Sequence, residues 1–214
     1  MAVVAGVFTS NKIKAAPVHL DIARIRSSGN GRAVIINSGN ANACTGLQGL
    51  KDAKEMAINT AKALGIKAEL VYVSSTGLIG RPLPMQKIKK AIPAAVKKLS
   101  SVGIKKAASA IMTTDTFLKI FSKKLNIGGQ TGIIAGMAKG AGMICPDMAT
   151  MLCFIVTDMA VEPKALDSAL RKAVSKSFNR LIIDNDMSTN DTVLLMSNSM
   201  LKNSLIKKNS RYYL

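Results

Sequence analysis

Apolar and polar positions along this chain keep switching between two periods. Val3–Thr9 and Arg32–Asn37 are short apolar runs rich in β-branched residues, the pattern of buried strands. Residues 37–46, NSGNANACTG, are dense in Asn, Gly and Ser and read as a loop. From Leu50 to Leu64 the apolar side chains Leu50, Ala53, Met56, Ala57, Ala61 and Leu64 return at helical spacing, with Gly65 placed as a C-terminal cap. Glu69–Ser74 predicts a strand. Pro84 and Pro93 each suit a first helical turn, so two short helices are expected over 84–91 and 93–100. Lys105–Met112 reads as short and helical or mixed, and the polar cluster TTDT follows. Thr131–Ala138 and Met151–Thr157 predict strands on either side of a Gly-rich connection. Pro163–Arg180 carries the clearest helical stripe, through Leu166, Leu170, Val174 and Phe178, and Thr192–Met196 predicts a last strand. The final fourteen residues are basic, polar and without period, the mark of a ragged terminus. Together these elements predict a mixed α/β fold.

Composition narrows the class. Hydrophobic residues make up 48% of the 214 and charged residues 20%, enough apolar matter for a core and incompatible with wholesale disorder. The longest apolar runs, such as Met151–Val156, fall far short of the roughly 18–20 residues of a membrane span. The opening MAVVAGVFTSNK has no charged start and no clear cleavage site, so no signal peptide is expected. The three cysteines, Cys44, Cys145 and Cys153, form no CxxC pair. They imply neither a disulfide framework nor a zinc site, and they fit a reducing, cytoplasmic compartment.

The single histidine, His19, excludes a multi-histidine metal site. Lying near an apolar strand in this reading, it is expected to be structural, so any nucleophile must find its base elsewhere. The net charge of +18 is the electrostatic footprint of polyanion binding. The lysines of KIKKAIPAAVKKL nevertheless punctuate a helical pattern as a solvated face does. Aromatics are 4% with no Trp, which leaves little to stack on bases. Nucleic-acid binding is therefore a minor alternative and no nucleic-acid partner is expected.

The stretch GGQTGIIAGMAKGAGM, residues 128–143, sets glycines beside a lysine but matches neither phosphate-loop nor dinucleotide spacing. On pattern alone these glycines serve turns and tight packing. In KGAGMICPDMATMLCFIVTD, residues 139–158, the small Ala149 precedes Thr150 at the lip of an apolar strand. On pattern alone Thr150 is a β-branched strand starter. Asp184 and Asp186 in IIDNDMSTND lack the glycine and terminal glutamate of a calcium loop, and they read as a polar loop entering a strand.

Six ordered blocks carry a resemblance. AGVFTSNKIKAAPV (5–18), INSGNANACTG (36–46), VSSTGLIGRPLP (73–84), AIMTTDT (110–116), AKGAGMICPDMATML (138–152) and STNDTVLL (188–195) resemble the ornithine acetyltransferase family of arginine biosynthesis, whose members often double as glutamate N-acetyltransferases. The resemblance implies that family's layered mixed α/β fold, incomplete here at the C-terminus. It implies self-cleavage between Ala149 and Thr150 into an alpha segment, 1–149, and the start of a beta segment, 150–214, both parts of one catalytic fold. Thr150 is then the implied nucleophile, activated by its own α-amine, whose unperturbed pKa of about 7.7–8.0 suits a base near neutrality. Thr76 and Gly77 carry over as the oxyanion hole, and Thr113, Lys139 and Thr150 as substrate contacts. Read by themselves, Thr113 is a turn residue and Lys139 a surface lysine.

The implied reaction moves an acetyl group from N-acetylornithine to glutamate by a ping-pong route through acetyl-Thr150. Acetyl-CoA is a further substrate in bifunctional members. No metal and no bound cofactor are expected, and the implied assembly is a heterotetramer of two alpha and two beta segments. The match departs from the family at both ends. Members continue well past STNDTVLL and supply a glutamate, an asparagine and a threonine to the substrate, roles that no residue here takes. A truncated chain would expose apolar surface, and an inactive piece of such an enzyme is the leading alternative.

Overall fold

The computed structural model describes residues 1–143 and 151–213. In chain order its strands are β1 (Ala2–Phe8), β2 (Asn30–Gly31), β3 (Ala33–Asn40), β4 (Val71–Leu78), β5 (Lys119–Ile127), β6 (Gln130–Lys139), β7 (Leu152–Thr157) and β8 (Thr192–Ser197). Its helices are α1 (Ala16–Ser27), α2 (Gly46–Leu64), α3 (Met85–Lys97), α4 (Ile104–Ala110) and α5 (Pro163–Lys176). One sheet has the order β2-β1-β8-β7-β6-β5, and β3 and β4 form a separate parallel pair. Strands from before and after residue 150 thus share the larger sheet, β7 running antiparallel to β6 and parallel to β8.

The layering follows from which side of each strand is apolar. Alternate residues of β1, β7 and β8 (Ala5, Cys153, Val193, Leu195) pack on Ala165, Leu166, Leu170 and Val174 of α5. Their opposite neighbours (Val4, Leu152, Phe154, Leu194) meet Tyr72, Val34 and Ile36 of the small sheet. The far side of that sheet, through Ile35, Val71 and Val73, is covered by Met56, Ala57 and Ala61 of α2 and by Met85 and Ile88 of α3. The result is helix, sheet, sheet, helix: the mixed α/β layering that the pattern and the resemblance predict.

Gly65 caps α2 in the left-handed conformation, φ +64°, as its position predicts. Gly128 (φ +59°) and Gly129 (φ +86°) form the two-residue turn from β5 to β6, a geometry closed to β-branched residues. Gly136 brings β6 against the Phe121 ring. The glycines of this stretch therefore turn and pack the chain.

Several expectations are corrected. A single helix, α3, runs through Pro93 where two were expected. Its apolar side sets Met85 and Ile88 against the small sheet and carries the buried Ile92 just before the proline. Burial of that side offsets the missing hydrogen bond, and the exposed Pro93 ring leaves the solvent side open. The strand β3 reaches Asn40, past the expected Asn37, because pairing with β4 uses backbone groups and ignores the polarity of Asn37, Ser38 and Asn40. The last long helix ends at Lys176 rather than Arg180 and yields to a short 3-10 turn, Phe178–Arg180.

Two of the longer elements escape the pattern. In α1 the buried residues Ala16, Pro17, Val18 and Asp21 are small or polar, so no large apolar stripe announces it. His19 lies on this helix and is exposed. The other, β5, is an edge strand with Lys119, Lys123 and Lys124 in its sequence, the kind of charge that protects a sheet edge from further pairing.

Candidate active site

The ends of β4 and β6, the turn after α4 and the segment entering β8 converge on a cavity of about 600 Å³. Thr76, Gly77, Thr113 and Lys139 all line it, with Ser188 and Asn190 closing one side. Four residues singled out from sequence, spread over 63 positions, thus share one space. Ala149 and Thr150, the implied cleavage site and nucleophile, lie outside the described residues.

The polar blocks of the sequence build the walls. Asn190 Nδ2 donates to the Ala41 carbonyl at 2.6 Å and the Ser75 carbonyl at 2.9 Å, tying the segment before β8 to the loop after β3 and to β4. The Ser75 hydroxyl donates to Asn37 Oδ1 at 2.6 Å. The Thr9 hydroxyl donates to the Ser188 carbonyl at 2.7 Å, and the Ala15 amide to the Thr189 carbonyl at 2.9 Å. Loops that read as merely polar are therefore buried and cross-linked, because backbone groups withdrawn from water need partners.

Lys139, the last residue of β6, is 3% exposed, which corrects the surface reading. Its Nζ donates to Thr113 Oγ1 at 2.8 Å and to Thr76 Oγ1 at 3.1 Å, so Thr113 is more than a turn residue. Burial lowers the pKa of Lys139. Asp115 opposes that, Lys119 reinforces it, and Asp191 opposes it again. Asp115 Oδ1 accepts Lys119 Nζ at 2.7 Å and the Gly140 amide at 2.8 Å, while Oδ2 stands 3.9 Å from Lys139 Nζ. Burial disfavours the ionised form of Asp115, but the two hydrogen bonds and the two ammonium charges outweigh it and hold its pKa below the usual value.

At Gly77 the backbone has φ +130°, and an added Cβ would overlap the Gly39 carbonyl of the neighbouring strand. This position requires glycine on both counts. The chain can then place the Thr76 hydroxyl and the Gly77 peptide side by side at the mouth of the cavity.

Asp191 is fully buried, and its Oδ1 accepts the Met151 amide at 2.8 Å. Among the described residues its Oδ2 has no hydrogen-bond partner. Burial pushes this carboxyl up to about 8, against the Met151 amide, the nearby Ser188 hydroxyl and the charge of Lys139. Asp184 accepts the Met143 amide at 2.6 Å from the loop entering β8, in keeping with a polar loop there. Sequence reasoning passed over Asp115, Asn190 and Asp191 individually. All three stand inside the motif blocks, but a single Asp or Asn among hydroxyl residues looks like any loop. Among the described residues no group of three His, Cys, Asp or Glu could hold a metal ion. No helix of the described residues is long and apolar enough to cross a membrane. Chemically, the cavity offers a buried ammonium and two hydroxyls, a donor set that suits an anionic oxygen.

The ArgJ family model matches residues 1–212. An arginine biosynthesis bifunctional protein ArgJ of Caldanaerobacter subterraneus is 50% identical over 208 residues, covering 97% of this chain and 51% of that protein. The chain thus spans about half the length of the curated relatives it matches. The crystal structure of an ArgJ from Bacillus halodurans matches with a TM-score of 0.60 at 38% identity, over 71% of this chain and 76% of that one. The ornithine acetyltransferase of Mycobacterium tuberculosis, solved with ornithine, matches with a TM-score of 0.58 at 39% identity, over 69% and 77% of the two chains.

Proposed function

The chain belongs to the ArgJ family, and on that premise we propose that it carries the acetyl-transfer site of an arginine-biosynthesis enzyme, moving acetyl from N-acetylornithine to glutamate. The observation that carries this reading is the buried Lys139, bonded to the hydroxyls of both Thr76 and Thr113 in one cavity. A cavity of this size and polarity suits an amino-acid substrate. The relative solved with ornithine supports the same class of ligand here.

In the proposed sequence Thr150 Oγ first attacks the Ala149 carbonyl carbon, and the acyl group passes from nitrogen to oxygen. That shift frees the Thr150 amine, and water then hydrolyses the ester, releasing the Ala149 carboxylate and restoring the Thr150 hydroxyl. That amine takes the hydroxyl proton as Thr150 attacks the acetyl carbonyl of N-acetylornithine. Acetyl-Thr150 forms, the amide bond breaks, and ornithine leaves with the proton. Glutamate attacks the ester through its amine, giving N-acetylglutamate and restoring Thr150. Each addition creates an oxyanion. The Thr76 hydroxyl and the Gly77 N–H are the proposed donors, a pair whose single loss typically costs about 2.7–4 kcal/mol of transition-state stabilisation. Lys139 and Thr113 bind the substrate's α-carboxylate, the lysine as a compact positive charge. No bound cofactor takes part. Acetyl-CoA is a donor in a bifunctional form. Paired alpha and beta segments and a cytoplasmic setting complete the proposal.

Intact mass of the purified chain, with Thr150→Ala alongside, tests the reading. Two pieces divided between residues 149 and 150, absent from the variant, with turnover of N-acetylornithine, are the expected result. An uncut chain without turnover points instead to an inactive form.

A further inference from the structure

A buried ammonium costs several kcal/mol unless a counter-charge answers it. Thr76 and Thr113 are neutral, so they satisfy hydrogen bonds of Lys139 without balancing its charge. Among the described residues, Asp115 is the carboxylate within ion-pair reach, and its side chain is 0% exposed. It also ties three segments together. It receives Lys119 from β5, the Gly140 amide just past β6, and the Thr113 amide at 3.5 Å from its own turn. Lys119 in turn rests over the Phe117 ring, 4.5 Å from its centre. The groups facing Lys139 are therefore Asp115 and Lys119 from the β5 side and Asp191 from the segment before β8.

We propose that Asp115 is the positioning residue of this cavity: its carboxylate holds the Lys139 ammonium against the Thr76 and Thr113 hydroxyls, and Lys119 sets how much of that carboxylate's charge Lys139 receives. The proposal deepens the acetyl-transfer reading, on which it rests for the identity of the anion that Lys139 meets. Among the described residues, hydrogen bonds to two hydroxyls leave the third N–H of Lys139 for an incoming carboxylate. Among the described residues Asp115 lies beyond hydrogen-bond distance of it, so it orients the ammonium without occupying that place.

The two neighbours act on Lys139 with opposite sign, which separates an electrostatic role from a purely structural one. The side-chain titration of Lys139 can be followed by NMR in the full chain with 13C-labelled lysine, its signal assigned by its loss in Lys139→Met. Asp115→Asn removes the charge that favours the ammonium and leaves Lys119 to repel it, so the midpoint falls by about one pH unit or more. Lys119→Met removes the repulsion and leaves Asp115 undivided, so the midpoint rises. Opposite shifts are the expected result. Two unmoved midpoints, or two shifts in one direction, overturn the proposal. Should Asp115→Asn fail to fold, Lys119→Met decides alone, because Asp115 stays in place and only an upward shift is consistent. The readout needs no turnover, so a chain that neither cleaves nor transfers acetyl refutes the functional reading while leaving this one to its own result.

Discussion

A carboxylate enclosed by protein is pulled two ways: burial favours its neutral form, while amide donors and nearby cations favour its charge. At Asp191 burial wins, and the carboxyl is pushed up to about 8 although it accepts the Met151 amide. The sign of the resulting pH dependence follows directly. The folded form keeps its proton where the unfolded form, near the ordinary value of about 3.9, has lost it. Stability from this group is complete below about pH 4 and is lost progressively as pH rises towards 8, by at most about 1.4 kcal/mol per pH unit. Asp191→Asn keeps an oxygen for the Met151 amide and cannot ionise. Urea unfolding at pH 5, 6, 7 and 8 should show the wild type losing ground steadily to this variant. Parallel curves would mean that Asp191 is ionised throughout. The same competition explains why these residues were silent in the sequence, since an aspartate's burial and partners are set by segments far along the chain.

Among the secondary-structure elements, α3 shows where local rules yield. Proline inside a helix costs about 3 kcal/mol or more through its missing N–H and its clash with the preceding turn. The helix nevertheless continues through Pro93, with Ile88 packed against the β3–β4 layer and Ile92 buried. Pro93→Ala, at an exposed position, should therefore stabilise the chain by about 1–3 kcal/mol, read as a higher midpoint in chemical unfolding. A lower midpoint would show that the proline is accommodated without strain. By contrast α1 is secured by a polar latch: Asp21, 1% exposed, accepts the Val73 amide at 3.0 Å, and Arg24 donates to the carbonyls of Val71 and Ala68. An amphipathic pattern cannot report such a helix, because what holds it is hydrogen bonding to a strand about fifty residues later.

For the molecule as a whole, the layers depend on contacts between distant segments. Leu170 of α5, 3% exposed, packs among Ala5, Val193 and Leu195 of strands from both ends of the chain. Leu170→Ala should cost about 2–5 kcal/mol in urea unfolding, and a loss below about 1 kcal/mol would mean that α5 is not integral to the core. Apolar side chains also remain on the surface: Phe117, Phe121, Ile133, Val156, Ile182 and Ile183 are 43–63% exposed.

Period and motif alone were enough for the alternation of strands and helices, the Gly65 cap, the mixed α/β class and the family. Each depends on neighbours within a few turns of chain or on blocks of residues kept in order. Whether Lys139 is a surface lysine or a buried one, and that Asp115 faces it, follows only from the folded arrangement. The same is true of the four residues Thr76, Gly77, Thr113 and Lys139 lining one cavity. Their meeting depends on how the small sheet stacks on the large one, and charge, burial and hydrogen bonding there arise between segments that share no local signal.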